Sequence, residues 1–501
     1  MTALLPVPTT LIAEHAAPPK TERKLGVVWL VISAITIGLA IQIFYGQYDP
    51  VAITWLSIAM LAALLALKEE RTGSRRIIAG LLAGGLAVEF FRLISEKPMA
   101  AVLRALFSTA SASLTLGVFT PRESLLAVVC LAIAAACAVG LIWPRIRAWA
   151  FAGLLAMHVL LGVVLIYSFP SPAIDVYLFE RDAATALVHR HDPYSVRFHD
   201  IYWHESAKHY GPGTSVKGML QYGYPYPPVP LLLGVPGLVA GDVRYAYLLA
   251  VTAAGFLIAT MGGIRRLSRR AGMALDGVEV GAAALLLFLP SQFLVIQCGF
   301  SEPAPVLLLA ATVWTALHHP RRLAIPLGLL LVCKQYMIFA VPAVWLLVPA
   351  IPTNKRWRIA LETIVIGAAV SLPFAAIAGR RFWQSVVVWQ FHQPFRIDAL
   401  SYPALFALSF PNCPLTHHLD LLAPIAGFLS ATVMLVICLK KLPRTPAGFA
   451  AAVGLILFAF FAFNKQAFCN YYYFVISAFC TAIAASNAIE PPRRQDAKNS
   501  G

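Results

Sequence analysis

Long apolar runs follow one another along the chain, broken by short clusters of Lys and Arg. Many runs approach the roughly 20 residues that a helix needs to span a bilayer. Inside lipid such runs must be helical, because backbone groups find no water to bond. If all the basic clusters lie on the cytoplasmic side, spans are predicted near 25–45, 50–67, 77–95, 124–143, 147–168, 243–263, 277–297, 302–318, 323–334, 336–350, 359–378, 421–439, 446–464 and 469–488. Both termini are then inside. Two further apolar stretches, 100–118 and 227–240, break this parity if counted as spans. They are expected to lie in, or dip into, the outer interface. Residues 323–350 are too few for two comfortable spans, so a broken helix pair is expected there, lining a cavity or buried in protein.

The pattern predicts an all-α polytopic membrane protein of about 13–14 transmembrane helices. Composition agrees: 59% of the 501 residues are hydrophobic and 12% charged, and the mean hydropathy is +0.74. A soluble chain of this size could not hide that much apolar surface. The net charge of +16 needs no nucleic acid, since the bases face anionic headgroups on the cytoplasmic side. Residues 1–24 are polar and Pro-rich and read as a disordered cytoplasmic segment. The first apolar run, from about Leu25, reads as an uncleaved signal anchor. The eight cysteines show no CxxC spacing. Cys413 and Cys469 share the expected outer side, but nothing in the sequence supports a disulfide between them.

The stretch 173–194, "AIDVYLFERDAATALVHRHDPY", packs four acids, two arginines and two histidines into 22 residues. It opens the longest hydrophilic loop, 171–226, which the topology places outside. Six of the chain's 23 acids and five of its twelve histidines lie in that loop. A second polar group falls in the other outer connections: Gln297 and Glu302, Arg380 and Arg381, His392 and Arg396, Lys465 and Gln466. Lys334 sits at the break of the short pair. Chemistry concentrated on one side favours a site at the outer face over a channel lined through its depth.

A helix starting near Asp175 would place Asp175, Phe179, Asp182, Ala186 and His189 on one face, with the two aspartates about 10 Å apart along the axis. They can line one groove but cannot act on one atom. Asp175 also suits a helix cap after Pro172. Glu180 and Arg181 read as a solvated face. Lys334, flanked by apolar segments, costs about 2.5–3.5 kcal/mol on insertion scales, which favours a cavity and an anion to bind; Gln335 is beside it. Glu89 and Arg92 read as an internal ion pair.

Several motifs fail. "HESAKH" (204–209) sets its histidines five apart, so they point about 140° from each other on a helix, unlike the zinc-protease HExxH. The loop histidines have no metal-ligand spacing. "ERD" (180–182) mimics an acidic nucleotide-sugar triplet on the side where nucleotide sugars are not supplied. No phosphate-binding loop or dinucleotide fingerprint is present.

The loop opening "IDVYLFERDAATALVHRHDPY", then "YGYPYPPVP" and a hydrophobic interfacial helix, resembles the GT-C-type glycosyltransferases. It is most similar to the bacterial polyprenyl-phosphate-mannose-type mannosyltransferases. "QCGFSEPAPVLLLA" (297–310), "CKQYMIFAVPAVWLL" (333–347) and "NKQAFCNYYYF" (464–474) resemble, in order, that family's Gln-Gly segment, its Lys-containing short-helix pair and its last outer loop. The resemblance implies a GT-C-like core over 147–488 with the catalytic outer loop 171–226. The N-terminal transmembrane unit 25–146 lies outside the resemblance, and 489–501 is a cytoplasmic tail.

The resemblance further implies transfer of mannose or another hexose from a polyprenyl-phosphate donor to an acceptor hydroxyl, with inversion, on the periplasmic face of the plasma membrane. Asp175 stands where that family has its catalytic base. Lys334 with Arg380, Arg381 or Arg396 would neutralise the leaving phosphate. Tyr177, Tyr194, Tyr224 and Tyr226 are candidates to stack on the sugar, or else interfacial anchors. Asp182, Gln335, His392 and Lys465 complete the candidate substrate-binding set. No cofactor or metal is required. The expected partners are membrane lipids, the lipid-linked donor and a glycan or glycolipid acceptor. The competing classes are a transporter or flippase of lipid-linked sugars and an O-antigen ligase or polymerase. The first should carry polar residues through the cytoplasmic half of its spans; the second usually has a late large loop with basic key residues.

Overall fold

A computed structural model describes residues 24–68, 74–95, 121–262 and 275–489. Among these residues the chain is almost entirely helical; a two-residue antiparallel hairpin, Ser215–Val216 with Met219–Leu220, is the one sheet. The principal helices are α1 (Val27–Ile43), α2 (Pro50–Ala66), α3 (Arg75–Ser95), α4 (Pro121–Gly140), α5 (Arg147–Ser168), α6 (Asp175–Val188), α7 (Pro228–Val239) and α8 (Val243–Ala259). They continue with α9 (Gly277–Phe288), α10 (Pro290–Gln297), α11 (Pro303–His318), α12 (Ala324–Leu331), α13 (Arg356–Ala378), α14 (Leu419–Lys441), α15 (Pro446–Phe463) and α16 (Cys469–Ile489).

Among the described residues five helices are by themselves long and apolar enough to cross a bilayer, or up to eight if three bent pairs each count as one span. Three more helices, α1, α2 and α11, are apolar but shorter. The chain is a multi-pass membrane protein. The stretch 100–118 lies outside the described residues.

The three bends have local causes. Pro290 lacks an N–H to continue α9, and the axis turns 47° into α10. Between α7 and α8 the axis turns 113°. Gly241 there adopts φ +113°, and Asp242 caps α8 by accepting from Arg244 N at 2.9 Å. The 120° turn between α12 and 335–350 passes through an extended Lys334. It is the expected broken pair, and α7 is the expected separate helix before its span.

The centre of the bundle is α15, buried all round, with α16 packed against α15, α1, α9 and α11. The N-terminal helices join this core directly: α1 lies on α2 and α16, and α3 lies on α9. The α1–α2 turn also reaches 398–399, where Tyr48 N donates to the Asp398 carbonyl at 2.8 Å. Gly46 lets the same turn pack against the start of α16. Its φ is +77°, and a Cβ there would lie 2.3 Å from Cys469 N. Glu89 is fully buried and accepts from Gln42 Nε2 at 2.6 Å, while Arg92 donates to the Leu39 carbonyl at 3.3 Å. All eight cysteines are free.

The loop 171–226 is not a floppy connection. It has its own aromatic core, in which Tyr177, Phe179, Tyr194, Phe198, Tyr210, Tyr222 and Tyr224 pack with Trp389. Beneath it, Arg244 is completely buried and grips Asp242 at 2.9 and 2.7 Å. The same guanidinium donates to the Gln297 carbonyl at 3.0 Å and the Ile166 carbonyl at 3.4 Å. A cation thus sits against the C-terminal turns of α5 and α10, where helix dipoles favour positive charge.

Candidate active site

Asp175 opens α6 as its first helical residue, one place inside the cap position held by Ile174. Its Oδ1 accepts from Val176 N at 2.8 Å and from the Tyr202 hydroxyl at 3.4 Å. Burial pushes this carboxyl up to about 6, against those two hydrogen bonds and the positive charge of Arg396. The Arg396 guanidinium is fixed on Asp398 at 2.8 and 2.7 Å, lies over the Phe468 ring, and donates to His209 Nδ1 at 2.9 Å. His209 therefore accepts through Nδ1. Its burial and the neighbouring Arg396 hold it below the usual histidine range. The same imidazole stacks on Tyr202 at 3.7 Å between centroids, which orients the phenol toward Asp175.

The second acid of the site is Glu180, and here the solvated-face expectation is wrong. Glu180 is 1% exposed. It accepts from the hydroxyls of Tyr224 at 2.9 and 3.0 Å and Tyr247 at 2.6 Å. Burial pushes it up to about 7, opposed by Tyr247, Lys334, Tyr224 and Ser301. The reason is periodicity: the buried face of α6 runs through Val176, Phe179, Glu180, Ala183 and Ala184, and a stripe at spacings of three and four includes position 180.

Lys334 is buried against an acidic partner. Its Nζ lies 3.3 Å from Glu302 Oε1, with both side chains almost fully buried, and 4.0 Å above the centre of the Tyr226 ring. Tyr226 feels the charges of Asp175, Glu302 and Glu180 together. The phenol is half-buried. Tyr226 thus lies between Lys334 on its ring and Asp175 within electrostatic reach, and Arg396 acts on Asp175 in turn.

The remaining candidates divide. Tyr194 and Tyr224 are 1% and 0% exposed; they present no ring face to a ligand and instead floor the site, Tyr194 donating to the Tyr226 carbonyl at 3.0 Å. Tyr177 is also buried, donates to Pro170 O and Asp242 Oδ2 at 3.2 Å each, and carries Arg244 over its ring. Gln335 Nε2 clips the carbonyls of Pro225 at 2.8 Å and Val386 at 3.0 Å. Lys465 donates to the carbonyls of Phe391 at 3.2 Å and Gln393 at 2.5 Å, and burial pushes it down to about 8. Both bind backbone that shapes the site. Asp182 pairs with its neighbour Arg181 at 2.7 Å. His392 is exposed and bonds the Val388 carbonyl at 2.9 Å. Arg380 and Arg381 are exposed, and Arg381 reaches Ser195 Oγ at 2.7 Å. They form a basic rim above the loop.

Sequence reasoning missed Tyr202, Asp398 and the pairing of Glu302 with Lys334. No local signal marks them, because each depends on segments far apart in the chain. Chemically, the arrangement offers a carboxylate poised near neutrality, fixed cations, and an aromatic wall.

No family model matches the chain, and no curated protein matches it. Among solved structures, the crystal structure of ArnT from Cupriavidus metallidurans bound to undecaprenyl phosphate is similar at 15% identity and a TM-score of 0.39, over 69% of this chain and 62% of that one. The chain thus matches less than two thirds of that protein's length, and its own residues carry the functional reading.

Proposed function

We propose that the chain is a membrane glycosyltransferase of the GT-C type. It moves a hexose, mannose or a near relative, from a polyprenyl-phosphate donor to an acceptor hydroxyl at the outer face of the plasma membrane. The observation that carries this reading is Asp175: a half-buried carboxyl at the head of α6, pushed up to about 6, with Arg396 and the Tyr226–Lys334 wall on the same side. The resemblance of the loop and of the later motifs to the polyprenyl-phosphate-mannose enzymes supports it independently.

In this reading Asp175 takes the proton of the acceptor hydroxyl as its oxygen attacks the anomeric carbon. The bond from that carbon to the phosphate oxygen breaks, and its electron pair leaves with polyprenyl phosphate. One displacement inverts the anomeric centre. A base with a pKa near the working pH both accepts the proton and releases it to water afterwards. Arg380 and Arg381 on the rim, with Arg396 and Lys334 deeper, stabilise the growing charge on the phosphate. Because Lys334 already faces Glu302, it acts as one arm of a balanced pair, its remaining N–H groups free to turn to the phosphate.

A deletion strain tests the reading. It should accumulate one polyprenyl-phosphate sugar and lack one envelope glycan. A wild-type copy should correct both, and an Asp175→Asn copy expressed at the same level should correct neither. Correction by the variant would remove Asp175 as the base.

A further inference from the structure

Beyond Tyr202 the loop 171–226 forms an open cavity of about 410 Å³ lined by residues 199–201, Trp203, Lys217, Gly218 and Met219. Two features distinguish it from an ordinary loop crevice. Trp203 is 73% exposed yet holds φ +44°, and Lys217 holds φ +52°. A bulky side chain in the left-handed region is strained, and such strain clusters at binding sites. Lys217 and Gly218, both at positive φ, form the two-residue turn of the hairpin. Asn, Asp or Gly are the usual residues at the first of these positions. A lysine there is costly for the fold and brings an exposed ammonium to the cavity mouth.

The cavity is firmly built. Asp200 is 5% exposed, and its Oδ1 accepts from Tyr202 N at 2.9 Å. Burial alone would raise this carboxyl. Hydrogen bonds from Ser215, Ser206 and the backbone of Tyr202 and Trp203 hold it below the usual range instead. The carboxylate therefore anchors the turn that displays Trp203 and is not available to a ligand. The polar side chains left to the opening are those of Lys217 and His199. Tyr202 links the cavity to the candidate base: its two chain neighbours, Ile201 and Trp203, line the cavity, and its own hydroxyl donates to Asp175 Oδ1 at 3.4 Å.

We propose that this cavity is the acceptor subsite. It takes a sugar ring of a glycan acceptor, one unit removed from the reacting hydroxyl. That ring stacks on Trp203, and an acidic substituent, uronate or phosphate, lies on Lys217. The inference rests on the glycosyltransferase reading and deepens it by naming the acceptor as an acidic glycan. An indole presents an apolar face to the C–H side of a sugar at little entropic cost.

The test uses the full chain in lipid nanodiscs and measures binding of fluorescently labelled trigalacturonate, maltotriose and polyprenyl phosphate. Wild type should bind trigalacturonate more tightly than maltotriose. Trp203→Ala should weaken both sugars by roughly tenfold or more, and Trp203→Phe should recover part of the loss. Lys217→Asn suits the turn better than lysine, so it should fold at least as well, yet it should erase the preference for the acidic sugar. None of these variants should change polyprenyl phosphate binding. Unchanged sugar binding in Trp203→Ala, or no binding of either sugar by wild type, overturns the proposal; either result would leave Trp203 as a membrane-interface anchor. If the sugars bind as expected but polyprenyl phosphate does not bind wild type, the donor assignment fails while the sugar subsite stands.

Discussion

Two carboxyls of one short helix sit in different surroundings. Asp175 sits at the mouth, where Tyr202 and Arg396 temper its burial. Glu180 lies on the buried face, where two tyrosine hydroxyls fix it between α6 and α8. Burial raises Glu180 from 4.5 to about 7. A raised carboxyl means that the folded protein binds the proton more tightly than the unfolded chain. Its contribution is complete below about pH 4.5 and is lost as pH climbs through 7. Glu180→Gln removes that slope. Between pH 5 and 8 the melting temperature of the variant should fall less than that of wild type, and at pH 8 the variant should be the more stable by a few kcal/mol at most, on the order of 3. A variant as pH-sensitive as wild type would mean that Glu180 is ionised and compensated in the folded state. The sequence pointed to Asp175 through its position after Pro172 and its place in a recognisable loop. It misdirected on Glu180 because charge was weighed before periodicity.

At the scale of elements, the turn between α12 and 335–350 carries Lys334 to Glu302 at the head of α11. Both side chains are almost fully buried. Removing one charge of such a pair costs about 3–5 kcal/mol, whereas replacing both with apolar residues is often neutral. Lys334→Met alone should therefore lower the melting temperature sharply, and Lys334→Met with Glu302→Leu should restore it. Polyprenyl phosphate binding should stay weak in both. If the double variant recovers donor binding, the pair is purely structural and the phosphate role of Lys334 is wrong. The helix break near Lys334 was legible, because a charge intruding into a run too short for two spans leaves a local mark; the 47° bend at Pro290 was not read, since 277–297 passed for one continuous span. The clasp of Arg244 on Asp242, Gln297 and Ile166 was not, since it joins three helices whose contacts no single segment encodes.

The whole molecule is a helical bundle with its unusual chemistry gathered at one end. Span positions could be read closely, because lipid leaves the backbone no alternative to helix. Separation of an N-terminal unit was drawn from where the resemblance stops, whereas the helices of that unit pack onto α16 and α9 and touch the segment bearing Asp398. The sidedness expected from the basic clusters has a direct readout. Cys413, partly exposed in the 410–418 connection, should react with a membrane-impermeant maleimide added to intact cells when it is the one cysteine retained. A lone cysteine introduced as Asn354→Cys, at an exposed position in the turn before α13, should react only after lysis. The reverse pattern would put the site on the wrong side for a lipid-linked donor.

The most direct measurement of the central claim is single-turnover transfer of labelled sugar from polyprenyl phosphate, followed across pH 5 to 8 for wild type and Asp175→Asn with donor binding recorded alongside. Wild type should speed up as pH rises through about 6, since the ionised carboxylate is the active form. The variant should be slower by about 10²–10⁴, show no rise through that range, and bind donor as before. A variant that transfers sugar at the wild-type rate, with the same pH dependence, would contradict the assignment of Asp175 as the base.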